Sequence, residues 1–92
     1  MPEVRFTIRW PDGTEDSCYS PSTAIRDHLV AGTAYPMPEF LDRARTGLNA
    51  ASDRVTARFG YACSAAMDQL ARIEARAATQ PRDGHVTCLH LS

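Results

Sequence analysis

Apolar side chains recur at three- and four-residue steps through residues 38–79, in two stretches that meet at Gly60. Steps of this size place side chains on one face of an α-helix, so each stretch predicts an amphipathic helix. Pro38 suits the first turn, because it lacks an N–H, and Gly60 suits the end of the first helix. Together the two stretches predict an antiparallel helical hairpin. Its apolar positions are Leu41, Ala44, Leu48, Ala51, Val55 and Phe59, then Cys63, Ala66 or Met67, Leu70, Ile73 and Ala77.

A strict alternation of apolar and polar residues over 4–10 predicts a half-buried β-strand. Pro11-Asp12-Gly13 then predicts a tight turn, which places Trp10 opposite Thr14 in a returning second strand. This register puts the carboxylate of Asp16 on the inner face, an unfavourable position that a sheet edge would relieve. The predicted cross-strand pairs are Arg9–Glu15, Ile8–Asp16, Thr7–Ser17, Phe6–Cys18 and Arg5–Tyr19.

The rest of the chain predicts a short helix, a loop and a third strand. Ser22 is a suitable N-cap for a helix over residues 23–30, which a loop over 31–37 follows. Residues 85–91 predict a strand whose buried face stays open, because both alternating sets contain apolar residues. The simplest topology is a three-stranded antiparallel sheet in order 2-1-3, covered on one face by the hairpin. The sequence therefore predicts one two-layer α+β domain over residues 1–92, with element order ββ(α)ααβ.

Charge and composition narrow the functional classes. The formal net charge of −1 gives no electrostatic basis for binding nucleic acid or an anionic membrane. The sequence has no secretory signal pattern and no long apolar run, so we expect a cytoplasmic protein. Its three cysteines lack paired spacing, which favours reduced thiols over a disulfide framework.

The thiols are the first candidates for chemistry. Cys18, Cys88 and His90 would approach one another in the predicted sheet, with Cys63 on the helix above, so a zinc site is one hypothesis. Cys63 is also a candidate nucleophile, because a helix N-terminus lowers the pKa of a thiol. Core packing is the favoured alternative for each thiol, since small buried cysteines are ordinary core residues. We therefore predict no metal, no cofactor and no catalytic constellation.

Two pairs of arginines are candidate anion sites. Arg54 and Arg58 lie one helical turn apart, as do Arg72 and Arg76. Either pair has the geometry to hold a carboxylate or phosphate through parallel hydrogen bonds. The favoured alternative is a solvated helix face, since charged helix faces mostly serve solubility.

Further candidates lie on the predicted sheet and its connections. An outer sheet face that carries arginine and tyrosine has the composition of protein interfaces, and an exposed strand edge would suit a homodimer. Serines before the short helix suit an anion or, preferentially, the N-cap role. These candidates are Arg5, Arg9 and Tyr19 on the sheet, Ser20 and Ser22 before the short helix, and Tyr61 in a loop.

Five separated motifs carry a resemblance to a known family. They occur in the same order in a small bacterial family described as nitrogen-starvation-response proteins. Its members, about this long, are encoded in nitrilase gene clusters linked to growth on cyanide or nitriles. Those clusters also encode a radical-SAM protein, an acetyltransferase-like protein, a flavoprotein and a synthase-like protein. The motifs are Arg9-Trp10-Pro11-Asp12-Gly13, Cys18-Tyr19-Ser20-Pro21-Ser22, Tyr35-Pro36 with Glu39-Phe40, Ala51-Ser52-Asp53-Arg54-Val55, and Arg58-Phe59-Gly60-Tyr61-Ala62-Cys63-Ser64.

The resemblance implies a biological context and no reaction, so two functional hypotheses follow. The first is a non-enzymatic accessory protein that binds a protein partner in nitrile or cyanide assimilation, such as the nitrilase or another product of the cluster. The second is a small enzyme or small-molecule carrier that uses Cys63 or Cys18 with Arg54 and Tyr61. Nitriles are electrophiles, so a reactive thiolate would suit that chemistry.

Overall fold

The computed structural model describes residues 3–60 and 64–91, with the backbone alone at Phe59. Its strands are β1 (Val4–Arg9), β2 (Glu15–Ser20), β3 (Thr33–Pro36) and β4 (His85–Leu91). Its helices are α1 (Met37–Phe59) and α2 (Ser64–Ala77), with a short 3-10 helix at Thr23–Asp27. These elements confirm the α+β class. Tyr61 and Cys63, both candidate site residues, lie outside the described residues.

The four strands form one antiparallel sheet in the order β2-β1-β4-β3. The predicted register of the β1–β2 hairpin is confirmed at every predicted pair. The turn sets this register, because the Trp10 N–H donates to the Thr14 carbonyl at 2.7 Å and closes a three-residue loop. The prediction that the last strand lies antiparallel beside β1 is also confirmed.

The predicted three-stranded sheet in order 2-1-3 is wrong, because residues 33–36 form a fourth strand. This segment, predicted as part of a loop, is β3 and pairs with β4 at the edge of the sheet. Pro36 favours an extended residue before it, and its missing N–H is harmless on an edge strand. A strand of four residues is too short for the alternation that reveals longer strands.

A β-bulge in β4 explains why the buried face of this strand was ambiguous. The register of β4 against β1 shifts between Thr7 and Ile8, which leaves Leu89 as an extra residue. The inward direction therefore changes along the strand, and His90, opposite Thr7, is exposed. The residues of β4 that contribute to the core are Val86, Cys88 and Leu91.

The helices α1 and α2 form the predicted hairpin. α1 ends at Gly60, which has a φ of 78° and donates its N–H to the Thr56 carbonyl at 2.8 Å, as expected of a glycine cap. An ion pair joins Arg45, in the first half of α1, to Glu74, near the end of α2. This pairing requires that the two helices run antiparallel.

The helix predicted over residues 23–30 is shorter and tighter than expected, since the 3-10 helix ends at Asp27. The N-cap prediction is confirmed: the Ala24 N–H donates to Ser22 Oγ at 3.0 Å. This segment packs closely on α1 at Gly47, where an added Cβ would lie 2.6 Å from Ile25 Cδ1. The absence of a side chain at Gly47 therefore allows the 3-10 helix to lie against α1.

The core lies between the inner face of the sheet and the hairpin. Trp10 and Phe40 meet edge to face, with ring centroids 5.7 Å apart and planes at 79°. This contact joins the end of β1 to the first turns of α1, and both rings are fully buried. The predicted apolar face of α1 is buried at Ala44, Leu48, Ala51 and Val55 and partly buried at Leu41, and Phe40, which was not among the predicted positions, is also buried.

Candidate functional site

A polar cleft lies between the outer edge of β2 and the helix α2. In an antiparallel pair only alternate residues exchange hydrogen bonds, so the others direct their amides away from the partner strand. Tyr19 directs its N–H outward in this way and donates it to Gln69 Oε1 at 3.0 Å. Ser17, two residues earlier, directs its amide to the same side. Gln69 therefore anchors α2 to the edge of the sheet.

One face of α2 forms a wall of this cleft. Gln69, Arg72, Ile73 and Arg76 follow the spacing that places side chains together on a helix. The opposite wall is formed by residues 16–18 of β2, and the cleft volume is about 440 Å³. The cleft therefore combines two arginines with an apolar floor at Ile73.

The two arginines differ in how they are held. Arg76 donates from Nη2 to Thr14 Oγ1 at 2.8 Å, and its Nε lies 4.0 Å from Asp16 Oδ2. Arg72 is exposed and makes no side-chain hydrogen bond or ion pair with the described part of the chain. One guanidinium is thus fixed by the protein, and the other is available to a ligand.

Asp16 is the carboxylate that the predicted register placed on the inner face. Its Oδ2 accepts the indole N–H of Trp10 at 2.6 Å. β2 is an edge strand, and the side chain of Asp16 is 39% exposed. The prediction that a sheet edge relieves this position is confirmed.

The turn between β1 and β2 is tied to the segment after α2. The Asp12 carboxylate accepts hydrogen bonds from the Thr14 hydroxyl at 2.6 Å, the Thr14 N–H at 3.0 Å and Gln80 Nε2 at 3.1 Å. These bonds, with the Thr14 hydroxyl the largest cause, lower the pKa of Asp12 from 3.8 to about 2. A lowered pKa means that the bonds stabilise the fold fully above pH 3.8, and this contribution is lost as pH falls through about 2.

The described thiols belong to the core. Cys18 and Cys88 are unpaired and buried. Burial, and secondarily the nearby Asp16 carboxylate, raises the pKa of Cys18 from 9.0 to about 12, and burial also raises the pKa of Cys88. The core-packing interpretation of these two thiols is therefore confirmed, and a nucleophilic role for Cys18 has no support.

We expect Cys18 to resist alkylation in the folded protein. A pKa raised from 9.0 to about 12 leaves about a thousandfold less thiolate at neutral pH. Iodoacetamide labelling followed by peptide mass mapping should show slow modification of Cys18 in buffer and rapid modification of the same peptide in urea. Equal rates in the two conditions would contradict the buried position.

The raised pKa of Cys18 also links the stability of the fold to pH. The folded state favours the neutral thiol, so the contribution of Cys18 to stability is complete below pH 9.0 and is lost as pH rises towards 12.

The zinc hypothesis receives no support from residues 3–60 and 64–91. Within these ranges no three His, Cys, Asp or Glu side chains lie close enough together to bind a metal ion. The β4 bulge is one cause, because it places His90 on the outer face while Cys88 points into the core.

The outer face of the sheet carries three predicted binding residues. The predicted Arg9–Glu15 ion pair is present, with Arg9 Nη2 2.9 Å from Glu15 Oε2. Arg5 is exposed and lies opposite the half-buried Tyr19, as predicted. Both helices pack on the other face, so neither of the described helices covers the face that carries Arg5, Arg9 and Tyr19.

The fold does not bring the remaining candidate residues together into a common surface site. Ser20 and Ser22 are fully buried, and Ser20 Oγ donates to the Ser22 carbonyl at 2.8 Å, so neither offers a surface site. Arg54 donates to Thr23 Oγ1 at 3.4 Å, and Arg58 is engaged in an interaction as well. The Arg54–Arg58 pair is therefore occupied by internal contacts.

Sequence reasoning missed Gln69. Its position one turn before Ile73 places it on the core-facing side of α2, and that spacing was the available signal. Spacing alone does not reveal that its amide meets the backbone of β2.

The described strands and helices define a small two-layer α+β protein. The family model described as nitrogen starvation-induced protein NitG matches residues 5–91, and the chain belongs to this family. No curated protein and no solved structure matches the chain. None of the described helices is long and apolar enough to cross a membrane.

Proposed function

We propose that this member of the nitrogen starvation-induced family is a non-enzymatic accessory protein that binds a protein partner through the outer face of its sheet. The observation that carries the proposal is that neither described helix covers this face, as is normal in a two-layer fold, where the helices pack on one side of the sheet. The resemblance to proteins encoded with nitrilases favours the nitrilase, or another product of the same cluster, as the partner.

The charge of the outer face favours a partner with an acidic surface. Glu15 is the acidic residue on the described strands of this face, and it already pairs with Arg9. Arg5 is exposed, lies opposite Tyr19 in the strand register and makes no ion pair with the described part of the chain. Arginine and tyrosine are enriched at the energetically dominant positions of protein interfaces.

Edge-to-edge strand pairing is a less suitable route to a homodimer in this fold. Gln69 occupies the outward amide of Tyr19 on β2. The other edge strand, β3, has four residues and ends at Pro36, which has no N–H to donate. Contacts through side chains of the outer face are therefore favoured over an extended sheet.

A second candidate function is a small-molecule carrier, favoured by the cleft beside β2. The related hypothesis from the sequence is a thiol-dependent enzyme that uses Cys63 or Cys18. Such an enzyme would have to use Cys63, because Cys18 is a buried thiol with a raised pKa. The carrier hypothesis needs no reactive group, only the two arginines and the volume of the cleft.

Reversing the charge of Arg5 is the direct test of the partner proposal. The protein would be co-expressed with each cluster product, and the affinity of any complex measured by titration. We expect Arg5→Glu to weaken the complex about tenfold or more, since like charges then oppose each other at the interface. Arg26→Glu is the matched control, because Arg26 is exposed on the 3-10 helix, away from the sheet. Failure of every cluster product to bind, or equal loss in both variants, would contradict the proposal.

A further inference from the structure

We infer that the cleft between β2 and α2 binds the carboxylate group of an organic ligand, with Arg72 and Arg76 as its charged partners. This inference does not depend on the partner proposal, since it concerns the inner side of the β2 edge and not the outer face of the sheet. The carboxylate belongs either to a small organic acid or to the C-terminus of a polypeptide.

The arrangement of the two guanidinium groups supports a carboxylate ligand. Arg72 and Arg76 lie one turn apart on the face of α2 that meets β2. Thr14 Oγ1 holds Arg76 at 2.8 Å, which reduces the conformational entropy that Arg76 loses when a ligand binds. Arg72 has no partner among the described side chains, so its donors are free to form the paired hydrogen bonds that carboxylates accept.

The charges of the cleft favour a ligand with one negative charge. Arg72 and Arg76 contribute two positive charges, and Asp16 contributes one negative charge. Asp16 is already engaged by the indole N–H of Trp10 and lies 4.0 Å from Arg76. One positive charge thus remains uncompensated, and a single carboxylate balances it.

The other walls of the cleft distinguish an organic acid from an inorganic anion. Ile73 and Cys18 line the floor, and the exposed Ala75 and the aliphatic stems of the two arginines add apolar surface to the walls. Ser17 directs its backbone N–H into the cleft from the strand edge, in the way that Tyr19 directs its own to Gln69. A ligand with an apolar body and a terminal carboxylate matches these surfaces better than phosphate does, because phosphate has no apolar surface to bury.

Titration of the full chain with three kinds of probe tests this assignment. Butyrate, trialanine with a free C-terminus and inorganic phosphate would be added while amide and arginine Nε–H signals are followed by NMR. We expect shifts at Ser17 and Arg72 with butyrate or trialanine, and weaker shifts with phosphate. Trialanine amide separates the two sources: binding of trialanine but not of its amide or butyrate identifies a polypeptide C-terminus. Absence of shifts with both carboxylates, or stronger binding of phosphate, would overturn the inference.

Variants at the cleft provide the second measurement. Arg72→Gln should weaken binding of the responding carboxylate about tenfold or more, because a charge-assisted hydrogen bond is lost. Asp16→Asn should strengthen it, since a competing negative charge is removed while the side-chain oxygen can still accept from Trp10. Arg26→Gln, on an exposed site outside the cleft, should leave the affinity unchanged. If Arg72→Gln and Arg26→Gln changed the affinity equally, the binding would be nonspecific charge attraction, and the proposed site would be refuted.

Discussion

Replacing Phe40 with alanine is expected to lower the free energy of unfolding by about 3–5 kcal/mol. Phe40 is fully buried, and its ring meets that of Trp10 edge to face with centroids 5.7 Å apart. The substitution removes this contact and leaves a cavity between α1 and the end of β1. Since domains of this size have a total stability of about 5–14 kcal/mol, the loss is a large part of it.

Urea unfolding followed by far-UV circular dichroism and by Trp10 fluorescence would measure this effect. Phe40→Leu retains part of the buried volume and is the variant to use if Phe40→Ala does not fold. Met67→Ala is the control, because Met67 lies on a helix and is 37% exposed. A change at Phe40 no larger than the change at Met67 would show that the Trp10–Phe40 contact does not support the core.

Gly84→Ala is expected to destabilise the protein by about 1–3 kcal/mol. A Cβ at this position would lie 2.5 Å from Pro11 Cβ and 2.6 Å from Pro11 Cγ. The proline ring cannot rotate away, so the β1–β2 turn or the start of β4 must move. This displacement also disturbs the 3.1 Å bond from the Met37 N–H to the Gly84 carbonyl. The loss should exceed the gain of about 0.4–1 kcal/mol that alanine gives by restricting the unfolded chain.

A double-mutant cycle with Pro11→Gly isolates the steric origin of this loss. Removing the ring should make Gly84→Ala much less damaging, so the two substitutions should be strongly non-additive in urea unfolding. Asp83→Ala, at the exposed neighbouring position, should change the stability by less than about 0.5 kcal/mol. Strict additivity of the two substitutions would exclude contact with Pro11 as the cause.

The sheet shows which parts of a fold are encoded locally. The β1–β2 register was predictable, because a three-residue turn at Pro11-Asp12-Gly13 determines every pair that follows it. The bulge at Leu89 was not predictable, because it depends on how β4 pairs with β1, which is distant in the sequence. β3 escaped prediction for a similar reason: four residues become a strand through pairing with β4, not through their own alternation.

The candidate site also has some features that follow from the sequence alone and others that depend on the tertiary fold. Helical spacing predicted that Arg72 and Arg76 share a face, and that part of the cleft follows from the chain alone. The strand edge that this face meets is a property of the tertiary fold, and Gln69 acquires its role only there. Burial likewise decides the chemistry of Cys18, since its pKa depends on the surrounding core and not on its sequence neighbours.

The position of β1 and β4 at the centre of the sheet has a consequence for synthesis on the ribosome. β1 spans Val4–Arg9 and β4 spans His85–Leu91, so the central strand pair joins distant parts of the chain. Until β4 emerges from the exit tunnel, the inward side chains of β1 lack one neighbouring strand. We therefore expect the nascent chain to complete folding only after β4 has been translated and has left the tunnel.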